Sequence, residues 1–390
     1  MSSANNSDLI IIGAGASGLL LMLALREKNY LGKVTVLEQH AKPLNDRIWS
    51  FWFDSTLPPY LQKIIEYKWS HWHFSSATFT RQMNNTDHPY CSIRAKALSA
   101  LAQDTLQEQH RFCIKYNCNV MTIDTIDKHT LLTTSLGEFT ATQVIDTRPP
   151  PLHFEHLGLF QCFLGQEVLT EQDCFDTKSA ALMQNIKYTA QGIQFVYILP
   201  FSARHALIEL TYFSDKIIDR SSLKNQLQPI ISQLVGSQNF SIVREEAATL
   251  PMYPINLNLG NTCKAITYGG IAGGAIRAAT GFSFLNCQRW ADATANQLVK
   301  NTKFEHKPPI GQRYQLLDSL FLRVIRTNPQ LGVLLYTRLF ARLDAKTFSR
   351  FMSEQASLHE LFKVIWAMPK YVFIQALMQS YRTNKGSSHV

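Results

Sequence analysis

"DLIIIGAGASGLL", residues 8–20, is the stretch that decides the fold. Leu9, Ile10, Ile11 and Ile12 run without polar alternation, as in a strand buried on both faces of a parallel sheet. Gly13, Gly15 and Gly18 follow, and then a Leu-rich stretch with helical character over 16–28. In such a strand–turn–helix unit each glycine has a task. The first makes the tight turn, the second lets the backbone approach a pyrophosphate, and the third lets the helix pack close to the strand. The helix N-terminus then offers unpaired N–H groups and the positive end of its dipole to the phosphates.

"KVTVLEQ" (33–39) reads as a second strand, completing a compact βαβ unit. Glu38, twenty residues beyond Gly18, closes that strand and suits the ribose hydroxyls of an adenosine half. These features alone do not separate FAD from NAD. Two others favour FAD. Arg47, in "QHAKPLNDRIWSFWF", stands where many FAD proteins set an arginine beside the pyrophosphate. Much later comes a second Gly-rich segment, "YGGIAGGAIRAATGF" (268–282), with Gly273 and Gly274 at its centre. FAD is long enough to need a second backbone loop near its flavin end, whereas NAD-binding units commonly finish in one contiguous stretch.

The composition agrees with an ordered protein: 390 residues, 46% hydrophobic and 17% charged, are enough for two or three structural units. The seven cysteines are odd in number and form no CxxC pair, so neither a disulfide framework nor a zinc site is expected, and no metal is assigned. The first apolar run follows "MSSANNSD" without a basic leader, unlike a cleavable signal, and a cytoplasmic setting is expected. No uninterrupted apolar run of about 18 residues predicts a membrane span. From Arg313 onward, however, eleven Lys/Arg stand against four Asp/Glu, among segments such as "LGVLLYTRLFARL" and "LFKVIWAMPKYVFIQALM". That pattern suits helices resting on an anionic membrane surface, here the inner membrane, and equally an ordinary helical cap with a solvated basic face. No nucleic-acid motif accompanies the charge.

The expected architecture is α/β. A Rossmann-like FAD-binding domain over 1–150, with a parallel sheet and helices, precedes a mixed β-rich substrate region over 151–260. A second FAD-contacting segment spans 261–300, and a helical, basic, membrane-facing region spans 301–390. Further helices are predicted over 96–110 and 286–300, and a strand ending at Asp146. "IQFVYILPFSARHALIELTYFS" (193–214) reads as two adjacent strands around a turn at Pro200–Arg204.

Motifs along nearly the whole chain resemble the lycopene cyclases of carotenoid biosynthesis, in particular the bacterial β-cyclases. "DLIIIGAGASG" is similar to the family's dinucleotide motif, and "NDRIWSFW" (45–52) to its Asn-x-Arg-Thr-Trp segment, with Ile48 in place of threonine. "VIDTRPP" (144–150) and "QCFLGQEV" (161–168) resemble the strand closing the first domain and the segment after it. Residues 195–214 are similar to the segment with the acidic cyclase motif, and "REEAATLPM" (244–252) to the Glu-x-x-x-Ile-Pro-Met stretch. "GGIAGGAIRAATGFSF" (269–284) resembles the loop near the flavin, which implies cofactor roles for Thr280 and Gly281. The chain departs from the family at Leu210, where a second acid often follows the first, at Gln184 for aspartate, and at Phe282 for tyrosine.

The resemblance implies that ψ-ends of lycopene and related acyclic carotenoids are protonated, close to a ring and lose a proton, giving β-ionone rings without net oxidation. It implies reduced FAD, with NAD(P)H as a candidate reductant. Such chemistry needs an acid in an apolar pocket. Glu209 suits it, flanked by Ile208, Leu210, Tyr212 and Phe213. The plainer readings make Glu209 an outward strand residue or an ion-pair partner of Arg204 or His205. Trp49, Phe51 and Trp52 are candidate aromatics for the cation, or core packing. Glu245 and Glu246 face opposite sides of a strand and stand below Glu209 as candidates. "HWH" (71–73) puts two histidines on one strand face with no third ligand in view. Competing functions are a redox flavoenzyme, either a monooxygenase or a carotenoid desaturase, and a non-catalytic carotenoid-binding flavoprotein. The desaturases' Gly-Gly-Arg continuation is absent here, as is the Gly-Asp pair of the hydroxylases. Oligomeric state is not legible.

Overall fold

All four apolar residues from Leu9 to Ile12 are buried, because β1 (Asn6–Ile12) is covered on both faces. Leu9 and Ile11 pack towards helices, while Ile10 and Ile12 join a second cluster with Val120, Leu132 and Phe139. The computed structural model describes residues 5–108, 110–126, 129–150, 158–259, 266–300 and 307–375.

After β1 come α1 (Ala16–Glu27), β2 (Val34–Leu37), β3 (Ile48–Trp52), α2 (Pro59–Gln62), β4 (Tyr67–Trp69), β5 (His71–Ser76), β6 (Thr80–Asn84), β7 (Tyr90–Arg94) and α3 (Ala95–Glu108). Then follow β8 (Phe112–Lys115), β9 (Val120–Ile126), β10 (His129–Thr134), β11 (Gly137–Asp146), β12 (Leu159–Thr170), β13 (Ser179–Thr189), β14 (Gly192–Ser202) and β15 (His205–Ser214). The chain continues through α4 (Arg220–Val235), β16 (Phe240–Met252), β17 (Ile266–Tyr268), α5 (Phe284–Val299), α6 (Gln312–Thr327), α7 (Leu331–Arg342), α8 (Ala345–Met352) and α9 (Leu358–Ala367).

The first sheet runs β8-β2-β1-β11-β10-β9, with β17 also on β11. Pairing of β8, β2, β1, β11 and β17 is parallel, and the β9–β10–β11 meander is antiparallel. Helices α1, α3 and α5 pack together over one face of this sheet. The second sheet, β16-β12-β15-β14-β13-β5-β6, is antiparallel except where β13 meets β5. A small antiparallel sheet, β3-β7-β4, stands as a third layer.

The sheets exchange strands across the sequence ranges. β5 and β6 lie within 1–150 yet extend the second sheet, and β17, within 261–300, joins the first. An open strand edge offers unpaired backbone donors and acceptors to any strand that reaches it, so partners are not legible from side chains. The β-rich middle is also interrupted by α4, capped by Asp219, which accepts from the Ser222 N–H at 2.8 Å. Its apolar stripe of Leu223, Leu227, Ile231 and Val235 covers one face of the second sheet. Over the other face lie α6 to α9, whose Phe340 and Phe348 pack with Trp52, Trp72 and Phe74.

Candidate active site

A cavity of about 980 Å³ runs from the β1–α1 turn, past the inner face of the second sheet, to α6 and α9. Gly13, Gly15 and Glu38 line it at the dinucleotide turn, Thr280 and Gly281 line it as well, Glu209 stands in the sheet wall, and Arg47 lines it within electrostatic reach of Glu209 and Glu246.

At the nucleotide end, Gly13 has φ +97°, a conformation that disfavours any side chain. A Cβ on Gly18 would run into the Gly13 carbonyl oxygen, so this glycine sets the strand-to-helix distance. Gly15 differs: an added Cβ there would meet nothing within 4 Å, and the residue faces the cavity. It also caps α1 without a side chain, leaving the first-turn N–H groups for a ligand. Glu38 accepts from the Ala14 N–H at 2.8 Å and from the His40 N–H at 2.9 Å. Burial opposes ionisation there, but the His40 and Ala14 N–H groups hold the carboxyl below its ordinary range. Bare backbone, a helix start and an ionised acid one strand away fit the adenosine and pyrophosphate of a dinucleotide.

The second Gly-rich segment is a compact turn. Gly273 and Gly274 shape it, a Cβ on Gly273 striking the Tyr268 carbonyl and Gly274 holding φ +89°, and neither lines the cavity. Ile271, Thr280 and Gly281 do. Gly281 has φ +74°, and a Cβ there would strike Oε1 of Gln161, a buried oxygen without a hydrogen-bond partner among the described residues. Arg277 anchors the turn: it is fully buried, bonded to Asp318 at 3.2 Å and to the Phe351 carbonyl at 2.6 Å.

On the second sheet, Leu207, Glu209 and Phe213 of β15 face the cavity, as do Glu246, Ala248 and Leu250 of β16. The intervening residues face α4, so Leu210, where the family often has a second acid, packs in the opposite layer with Ile208 and Tyr212. Glu209 is 7% exposed and accepts a hydrogen bond from Thr211 Oγ1 at 2.7 Å. Burial and then the nearby charge of Glu246 push its carboxyl up to about 8. The ion-pair alternatives do not hold, since Arg204 bonds Asp173 and His205 bonds Glu167.

One row of the sheet carries Glu246, Gly165, Glu209 and Tyr197 on four consecutive strands. Glu246 is 5% exposed and paired with Arg244 at 2.7 Å. The Tyr197 and Tyr90 hydroxyls are 2.9 Å apart and both line the cavity. Sequence alone ranks Glu246 below Glu209 and does not single out Gly165, Tyr90 or Tyr197. Strand parity was the available signal, because Glu246 shares its face with Ala248 and Leu250. Glu245 points the other way, where burial opposes ionisation but Gln166, Arg220 and Lys224 hold it well below the usual range.

Among the aromatics, Trp49 and Trp52 line the cavity, whereas Phe51 stacks on Phe284 at 5.0 Å within the dinucleotide core. Phe282 meets Trp52 and Tyr90 edge-on beside the cavity. His71 lies 2.9 Å from Ser70 Oγ, and His73 3.2 Å from Ser179 Oγ and 3.4 Å from Gln184. Among the described residues no cluster of three or more His, Cys, Asp or Glu could hold a metal ion.

Solved structures share the fold. A geranylgeranyl bacteriochlorophyll reductase-like protein from Thermoplasma acidophilum is 12% identical with a TM-score of 0.62, covering 95% of this chain and 98% of its own. A flavoprotein/dehydrogenase from Cytophaga hutchinsonii is also 12% identical at a TM-score of 0.62, covering 96% of this chain and 100% of its own. The halogenase PltM in complex with FAD reaches 0.52 at 13% identity, covering 88% and 78%. The chain therefore shares the fold of these solved proteins. In sequence the chain is similar to the lycopene beta-cyclase of Pseudescherichia vulneris, 23% identical over 380 residues (93% of this chain, 94% of that protein). It is similar also to that of Pantoea ananas, 21% identical over 386 residues (96% and 99%). The family model described as lycopene cyclase protein matches residues 8–378, and the chain belongs to that family.

Proposed function

We propose that this protein is a lycopene β-cyclase, converting ψ-ends of lycopene and related acyclic carotenoids to β-ionone rings without net redox change. The supporting observation is Glu209: a buried carboxyl, pushed up to about 8 by burial and then by Glu246, set in the wall of a largely apolar cavity that continues to a dinucleotide loop. An acid kept neutral by burial is what protonation of an alkene requires. Glu209 gives its proton to the terminal double bond, and a second double bond attacks the resulting cation, forming the ring carbon–carbon bond. A ring proton then leaves and a double bond forms, so the product has the substrate's mass. Trp52, Tyr90 and Phe282 present rings beside this wall and stabilise positive charge through their π-faces. Gly13, Gly15, Gly18, Glu38 and Arg47 would hold the adenosine and pyrophosphate of FAD, with Gly273 and Gly274 shaping the turn that presents Thr280 and Gly281 to its flavin end. Bound in its reduced, anionic form, with NAD(P)H as the reductant, FAD supplies negative charge near the cation.

On the same reading the chain works at the cytoplasmic face of the inner membrane. Leu358, Phe362, Ile365 and Trp366 are exposed along one side of α9, and Tyr371 and Ile374 continue the patch. Ile365, Lys370 and Ile374 also line the cavity, so its apolar interior opens at this patch, a suitable entry for a carotenoid dissolved in lipid. Among the described residues no helix is long and apolar enough to cross a membrane.

The test is the purified protein with FAD held reduced and lycopene in liposomes. A product of unchanged mass bearing β-rings is expected. A product two hydrogens lighter, or one oxygen heavier, would show a redox enzyme instead.

A further inference from the structure

We propose that Glu246 is the second acid of the cyclase centre: held by Arg244 and set across Gly165 from Glu209, it carries the negative charge that keeps the proton on Glu209. This rests on reading the cavity as a cyclase centre. The residue after Glu209 cannot take that part, because Leu210 faces the α4 layer. The partner comes from two strands away. Gly165 of β12 is aligned with Glu209 on β15 and with Glu246 on β16, so all three project to one face. With no side chain on Gly165, the two carboxyl stems approach over it. The site of its missing Cβ lies 3.3 Å from Glu209 Cβ and 3.4 Å from Glu246 Cγ.

Two carboxyls buried side by side do not both ionise, and their surroundings decide which keeps the proton. Arg244 bonds Glu246 at 2.7 Å and is itself fixed by Glu167, also at 2.7 Å, which Arg94 and His205 hold in turn. Among the described residues Glu209 has no cation in hydrogen-bond contact; it faces Thr211 on its own strand, Tyr197 from β14, Tyr90 from β7, and Arg47 and Arg244 at longer range. Burial pushes the Glu246 carboxyl up as well, and Glu167 adds to this, but Arg244 in direct contact and Arg47 oppose it, and of the two acids Glu246 is the one bonded to a cation. The charge therefore settles on Glu246. When Glu209 has given its proton to the substrate, repulsion from Glu246 strengthens it as a base for the proton returned from the ring. One proton leaves and one comes back, and no oxidant or reductant is involved.

Glu246 is thus a positioning residue, and its test reads proton affinity directly. In the full-length protein without substrate, the infrared band of the protonated carboxyl is titrated with pH and assigned by its loss in Glu209→Gln. Glu246→Gln should move the midpoint to lower pH, by on the order of one pH unit. Glu246→Asp, which keeps the charge, should leave it near the native value. In the cyclase assay the alkaline limb of kcat/KM should move with the midpoint in Glu246→Gln and stay near its native position in Glu246→Asp. An unmoved midpoint in a folded Glu246→Gln protein overturns the proposal, as does an equally displaced midpoint in Glu246→Asp. The infrared titration needs no turnover, so a chain that titrates as expected but forms no rings defeats the cyclase reading and leaves the pair standing.

Discussion

Glu209 and Glu246 reach the cavity from strands that do not touch, with Gly165 of the intervening strand between their stems. A Cβ at position 165 would stand 3.3 Å from Glu209 Cβ, tighter than ordinary contact, 3.4 Å from Glu246 Cγ, at the edge of it, and 3.0 Å from a Leu207 methyl. Leu207 can yield, but the Glu209 stem must shift by a few tenths of an ångström. Gly165→Ala is expected to keep the fold by circular dichroism while cyclase turnover falls roughly ten- to a hundredfold, the usual cost of misplacing a reacting group. Unchanged turnover would show that the spacing is immaterial.

Glu209 also makes a stability prediction with a definite sign. Its carboxyl rises from 4.5 to about 8 on folding, mainly through burial. Between those values the folded chain holds a proton that the unfolded chain has released, so stability is full at acid pH and declines as pH rises through this window. Glu209→Gln removes the decline. Its melting temperature should match the native protein near pH 4 and exceed it near pH 9. The difference is on the order of a few kcal/mol, at about 1.4 kcal/mol for each tenfold change in proton affinity. Parallel melting curves across pH would refute the assignment of a buried neutral acid.

The two ends of the glycine turn separate folding from ligand binding. Gly18→Ala drives a Cβ into backbone, so stability and flavin retention should fall together. Gly15→Ala meets no protein atom, so the melting temperature of the ligand-free chain should hold while affinity for FAD drops. Flavin absorbance after desalting and direct titration read both. Full FAD affinity in Gly15→Ala would move the pyrophosphate elsewhere.

Arg277 and Asp318 join the second Gly-rich turn to α6 as a buried ion pair. Asp318→Asn leaves Arg277 charged and without its carboxylate, which should cost about 3–5 kcal/mol in urea unfolding. Arg277→Met with Asp318→Leu should recover much of that loss, because an apolar pair needs no desolvation of charge. A double variant no more stable than Asp318→Asn would contradict this account.

Membrane docking predicts that Phe362→Ser with Trp366→Ser weakens binding to anionic vesicles at least tenfold in a sedimentation assay. Neutralising Arg338 and Arg342 should lower binding further and reduce its salt sensitivity. Neutral vesicles serve as the control, and unaltered binding in both variants would exclude this surface.

Local chemistry carried much of this protein in its sequence. The run from Leu9 to Gly18 specifies a buried strand, a turn and a helix start, because burial on both faces and close backbone approach demand those residue types in that order. The boundaries of α1, β11, β14 and β15 fall within a few residues of where periodicity puts them. The resemblance of residues 195–214 to the cyclase motif singled out Glu209. What the sequence left open was which strands become neighbours. Backbone pairing is blind to side chains, so nothing in "HWHFSS" announces that β5 will lie on β13. Nothing in "REEAATLPM" announces that Glu246 will stand one glycine away from Glu209. Parity along each strand was legible, but pairing between strands belongs to tertiary structure. That pairing turned two acids distant in sequence into one proton-holding centre.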